Sequence, residues 1–284
     1  MAQGATAVLT QLNSWRTLSP SGCEKKQPSI QPNPAVSRGR EGYLLEAFYE
    51  RLRDLCADHL SRAGGDRSRI SEDQAERAVS LAGELGILKQ EDVSWSVFSA
   101  VNVDLHYGTE HAVESGDLLG LVVKVTIPPG FGLVPKVVRH PLVNLRDDPT
   151  VPAFREALEF IAATPLEYLE RWIAAIDVFG DDVRLASVVR WADGLVSFVI
   201  TQPQYHGSPA DPREIDLYFD QSGWTRVPDP SRQHVLFFNY AFGILAIDAL
   251  PRNCYLNEDG LLPFDVILCR PDPATENHLH LFPQ

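Results

Sequence analysis

The stretch Asn239 to Pro271, NYAFGILAIDALPRNCYLNEDGLLPFDVILCRP, limits what this chain can fold into more than any other part of it. Its apolar run, Phe242 to Ile247, reads as a buried strand that delivers Asp248, and Asn253 follows five residues later. Cys254 to Leu256 then runs into Asn257-Glu258-Asp259-Gly260 and returns as Leu261 to Leu268, with Asp265 in the middle. Asp and Gly tolerate the positive φ of tight turns, so the spacing predicts a hairpin that brings Asn253 and Asp265 together.

Two acids and an amide oxygen at one end of a hairpin suit a hard cation. Mg²⁺ takes oxygen ligands, a few from protein and the rest from phosphate and water. The pattern gives Asn253 and Asp265 the metal and leaves Asp248 to accept a proton from a hydroxyl. Asp and Asn are also ordinary turn residues, so Asp248 and Asn253 can equally be loop punctuation. Asp265 is harder to explain that way, because an unpaired carboxylate between Phe264 and Val266 is costly unless it faces a ligand or open solvent.

With 284 residues, 44% hydrophobic and 22% charged, the chain has the length and composition for one large or two modest folded domains. A net charge of −13 argues against a nucleic-acid partner held by phosphate contacts. No apolar run approaches the roughly 20 residues of a membrane span, and the N-terminus lacks the pattern of a secretory signal. Cys23, Cys56, Cys254 and Cys269 form no CxxC pair and read as thiols of a cytoplasmic protein.

Residues 1–40, rich in Ser, Pro and Gln, read as a flexible arm. Residues 41–92 read as a helical hairpin, one helix from Gly42 to Ala63 and a second opening at Ser71. From Val93 to Leu105 the texture reads as β, followed by strands around His111 and through Leu118 to Thr126. Lys124 sits in LLGLVVKVT, where a lysine is either an edge-strand gatekeeper or a phosphate ligand.

Residues 127–150 read as a long loop, Val151 to Ala163 as a helix, and Pro165 to Gly180 as a second helix carrying Glu167, Glu170 and Asp177. Two strands follow around Trp191-Ala192-Asp193-Gly194, then a link at Gln202 to Gly207. Asp211-Pro212 opens a helix to about Gln221. Residues 272–284 form a tail.

Taken together, GTEHAV, VVKVTIPPGFG, PLEYLERW, VFGDDVRL, ITQPQYHG, EIDLYF and AIDALPRN joined to LLPFDVILCRP resemble the kinase-like domains of phage and mobile-element polyvalent proteins, over about residues 104–271. The resemblance implies an α+β, protein-kinase-like two-lobe fold behind the N-terminal helical segment. Its small lobe spans about 93–201 and a reduced large lobe about 205–271. It implies ATP and Mg²⁺ as cofactors, with the γ-phosphoryl group passing to a hydroxyl of a protein or a small molecule. Lys124 takes the place of the lysine that holds the α and β phosphates, with Glu170 its first-choice helix acid ahead of Glu167 and Asp177. Gly108 and His111 fall in the counterpart of the glycine-rich loop, and Gln202 and Gln204 in the hinge that faces adenine. Asp248 becomes the catalytic base, and Asn253 and Asp265 the metal ligands. The alternative within the same fold is a pseudokinase that serves as a nucleotide-binding or docking scaffold.

Overall fold

A computed structural model describes residues 42–60, 66–116, 120–141 and 154–282. The expected N-terminal arm therefore lies outside the described residues. The elements in chain order are α1 (Gly42–Leu60), α2 (Arg67–Leu85), β1 (Leu88–Gln90), α3 (Trp95–Val101), β2 (His106–Tyr107), β3 (His111–Gly116), β4 (Leu121–Thr126), β5 (Leu133–Pro141) and β6 (Phe154–Ala162). They continue with α4 (Pro165–Phe179), β7 (Arg184–Arg190), β8 (Val196–Pro203), β9 (Ser208–Pro209), α5 (Pro212–Gln221), β10 (Thr225–Val227), β11 (Leu236–Asn239) and β12 (Ile244–Ile247). Last come β13 (Cys254–Asn257), β14 (Gly260–Pro263), β15 (Ile267–Cys269) and α6 (Pro273–His278). The protein is mixed α and β, with six helices among the described residues.

The chain divides into two units: the described residues of Met1–Gly132 with Thr164–Leu166 and Asp182–Gln204, and Leu133–Ala163 with Glu167–Asp181 and Tyr205–Gln284. The first is built on a six-stranded sheet in the order β1-β7-β8-β4-β3-β2. The apolar stripe of α1, Leu45, Phe48, Leu52 and Cys56, is fully buried, and Phe48 meets Phe198 of β8 edge to face. Buried Gln74 of α2 accepts a hydrogen bond from the Leu166 amide at 3.1 Å. A buried polar chain ties the sheet together: Trp191 donates to Ser197, Ser197 to the Thr126 carbonyl, and the Phe198 amide to the Thr126 hydroxyl. Lys124 pairs with Val113 on one side and Ile200 on the other, so β4 is an interior strand and the gatekeeper reading of Lys124 falls away.

The second unit holds the antiparallel sheet β10-β11-β12-β15, the small sheet β14-β13-β9 and the ribbon β5-β6. Its core includes Leu158, Leu236, Phe238, Leu245, Ile247, Leu279 and Leu281. Phe219 of α5 stacks on Phe237 of β11, with ring centroids 4.3 Å apart. α5 opens with a capping box: Asp211 accepts from the Arg213 amide at 2.8 Å and Glu214 accepts from the Asp211 amide at 2.7 Å.

Five local expectations are corrected. Trp95 to Val101 is a helix rather than a strand, because Ser94 caps it and Trp95 and Phe98 pack on Trp191 at helical spacing. Residues 154–162 form a strand rather than a helix, although Ala, Glu and Leu favour helix; nine cross-strand pairs with β5 override that propensity. The same pairing makes a strand of Leu133–Pro141, inside the expected loop. α2 begins at Arg67 rather than Ser71, because Asp66 accepts the Ser68 amide. The expected return strand Leu261 to Leu268 is two strands in different sheets, and Asp265 lies in the break between them.

The loop after β10 is organised by Asp229, which is buried and accepts hydrogen bonds from the amides of Ser231, Gln233 and His234 and from the Ser231 hydroxyl. Burial acts to raise its pKa, but these bonds outweigh it and hold the carboxyl below its ordinary value. A depressed folded-state value contributes stability above the ordinary carboxylate range and loses it as pH falls through the folded value. We expect Asp229→Asn to be less stable than wild type in urea denaturation at neutral pH, with the difference shrinking as the pH falls below about 4. A second expectation concerns Gly207, where an added Cβ meets the Leu256 carbonyl oxygen at 2.6 Å. Gly207→Ala should cost about 1–3 kcal/mol in the same assay, the usual penalty for overpacking against backbone.

Candidate active site

β12 is buried along its whole length and lies between β11 and β15, pairing Leu236 with Ile247 and Ile247 with Ile267. Where that pairing stops, the backbone turns sharply: Asp248 sits at φ +65°, in the left-handed region that Asp tolerates better than branched residues. Its carbonyl accepts the Leu250 amide at 2.8 Å, and the Asn253 amide donates to the Leu250 carbonyl at 2.8 Å. Pro251 opens the short 3-10 turn Pro251–Asn253 in between.

Asn253 closes the loop. Its Nδ2 donates to the Asp248 carbonyl at 2.7 Å and to Asp248 Oδ2 at 2.9 Å. Both partners are acceptors, so the amide nitrogen must face them and Oδ1 is left as the group's acceptor. The residue is buried, and its own carbonyl accepts the Phe264 amide at 3.0 Å. The β13-β14 hairpin thus returns the chain to Asn253 one residue before Asp265, as the Asn-Glu-Asp-Gly turn predicts.

Each acid of this end has an arginine partner. Arg252 Nη2 lies 2.7 Å from Asp248 Oδ1 and 2.8 Å from Oδ2, and its side chain is 66% exposed. Arg171 Nη2 lies 3.5 Å from Asp265 Oδ1, and its side chain is only 3% exposed, with the guanidinium 5.0 Å from the Trp172 ring centre. Sequence reasoning missed both arginines. Arg252 carried a signal in its four-residue spacing from Asp248, and Arg171 in being a charge set among the apolar residues of LERWIAAI.

Cys254 borders the loop, but burial, helped by the Asp248 charge, pushes its thiol up to about 12. Burial does the same to Cys269, so neither is a nucleophile near neutral pH. On α4, Glu170 lies 3.4 Å from Arg270, and burial raises its carboxyl above the ordinary value. Glu167 lies 3.5 Å from Lys136, which also reaches Asp272 at 3.0 Å, while Asp177 is exposed.

Lys124, Gly108, His111, Gln202 and Gln204 belong to the first unit, while Glu170, Asp248, Asn253 and Asp265 belong to the second. Lys124 is buried in the interior strand β4. Gly108 starts the turn into β3, its amide donating to the His111 carbonyl at 2.9 Å, and His111 is buried opposite Thr126. Gln202 is buried in β8, and the Gln204 amide donates to the Gly120 carbonyl at 2.8 Å.

No group of three or more His, Cys, Asp and Glu side chains among the described residues is placed to hold a metal ion. The oxygen donors at this end are the Asn253 amide and the Asp265 carboxylate, a pair that suits a hard cation completed by phosphate and water. No family model matches the chain, no curated protein matches its sequence and no solved structure matches its fold.

The Asn253 clamp is testable by denaturation. Asn253→Ala removes both donations to Asp248 and should lower stability by about 1–3 kcal/mol. At position 248, Asn should be tolerated and Val should destabilise, because a β-branched residue resists the left-handed backbone.

Proposed function

We propose that the protein is a kinase-like phosphotransferase that uses ATP and Mg²⁺ to transfer the γ-phosphoryl group to a hydroxyl of a protein or a small molecule. The observation that carries this reading is the Asn253 amide locked onto Asp248, next to a hairpin that returns to Asp265. One side chain thereby fixes the carboxylate meant to take a proton and offers an oxygen to a cation. Asp248 is the base that accepts the acceptor hydroxyl's proton, and Asn253 Oδ1 and the Asp265 carboxylate are the metal ligands. Mg²⁺ supplies charge neutralisation on the phosphates when bound. The phosphate contact falls to Lys124 and its orientation to Glu170, with Gly108, His111, Gln202 and Gln204 on the nucleotide, as the resemblance assigns them.

A second reading, a pseudokinase that binds nucleotide without turnover, is favoured by one contact: Arg252 reaches both carboxylate oxygens of Asp248. No helix among the described residues is long and apolar enough to cross a membrane, so neither reading calls on a membrane-spanning anchor there.

The test is a thermal-shift titration with ATP and Mg²⁺ followed by a γ-labelled ATP turnover assay. The phosphotransferase reading expects stabilisation that is lost in Asp265→Asn, and turnover that falls at least about a hundredfold in Asp248→Ala. Stabilisation without turnover selects the pseudokinase, and absence of both overturns the nucleotide reading.

A further inference from the structure

The two arginines at the acid end of the second unit are not alike. Arg171 is buried and packed against Trp172, so its charge is fixed beside Asp265. Arg252 is two-thirds exposed, and among the described residues its one side-chain hydrogen-bond and ion-pair partner is Asp248. An ion pair so placed is worth only about 0.2–1 kcal/mol, because water competes for both charges. Asp248 keeps its position without Arg252, because the turn and the Asn253 amide hold it. The contact is therefore easily exchanged for a better anion, and its breaking leaves the carboxylate where it was.

We propose that Arg252 is a positioning residue that exchanges partners: it covers Asp248 in the resting protein and turns to a phosphate-type anion of the bound ligand. Anion binding and the uncovering of Asp248 are then one event. Guanidinium suits this task, since its planar fork matches phosphate oxygens and its charge persists at all working pH values. In a chain of net charge −13, a cation held beside the base also gives an anionic ligand a local attraction that the rest of the surface does not supply. The proposal rests on the reading of Asp248 as the base. The anion comes either from the polyphosphate of the nucleotide or from a phosphate on the acceptor.

The test is a double-mutant cycle on the full chain, with binding of tripolyphosphate and of O-phosphoserine measured by calorimetry. Asp248→Asn keeps a residue that accepts the left-handed backbone but removes the charge that competes for Arg252. It should tighten anion binding roughly two- to fivefold, the factor that corresponds to an exposed ion pair. In Arg252→Gln the binding should weaken, and adding Asp248→Asn should bring no further gain beyond its general charge effect. Arg252→Lys should restore part of the affinity. Coupling to tripolyphosphate alone assigns the anion to the nucleotide, and coupling to O-phosphoserine alone assigns it to the acceptor. Asp248→Asn acting equally with and without Arg252, or anion binding indifferent to Arg252, overturns the proposal. Turnover plays no part in the cycle, so an Asp248→Ala variant that still turns over ATP defeats the base assignment separately.

Discussion

Burial of Ile244–Ile247 between two antiparallel neighbours governs the second unit. With Leu236 opposite Ile247 and Ile267 on its other side, β12 cannot slip by one residue without turning its apolar set out of the core. The end of the strand is therefore a fixed point. Asp248 occupies it, in a backbone conformation that makes the chain leave the sheet abruptly. The short turn that follows repeats the same economy, with one buried amide side chain satisfying both the carbonyl and the carboxylate of Asp248.

Electrostatics at that end follow from burial. Asp248 and Asp265 each have a guanidinium close by, so two negative groups persist near each other along the chain without an added cation. The neighbouring thiol of Cys254, buried and facing the Asp248 charge, stays protonated and adds packing rather than reactivity. On α4, Glu167 and Glu170 meet Lys136 and Arg270, so the acids of that helix serve charge balance within their own unit.

Much of the second unit's acid end was legible in the sequence. Asn-Glu-Asp-Gly fixed the hairpin, Asp211-Pro212 the start of α5, and Trp191-Ala192-Asp193-Gly194 the β7-β8 turn, each through local backbone chemistry that needs no knowledge of the rest of the fold. What escaped was decided at long range. Residues 154–162 have helical composition, and only a partner strand across a span of unreadable sequence makes them β. Trp95 to Val101 alternates like a strand, and only the surface beneath Trp95 and Phe98 selects a helix. Arg171 escaped because its neighbour Asp265 is 94 positions away, a distance over which spacing carries no information.

Lys124 illustrates what a central strand does to a charged side chain. Hydrogen-bonded ladders run along both flanks of β4, so the Cα of Lys124 moves only if the whole sheet moves with it. A cation mounted this way differs from one on a loop: insertions and deletions in the connections on either side shift the loops and leave the amine's root where it was. Whatever the ammonium group meets, the protein has given it a stiff mount, and changes in its reach must come from the four methylenes of the side chain alone.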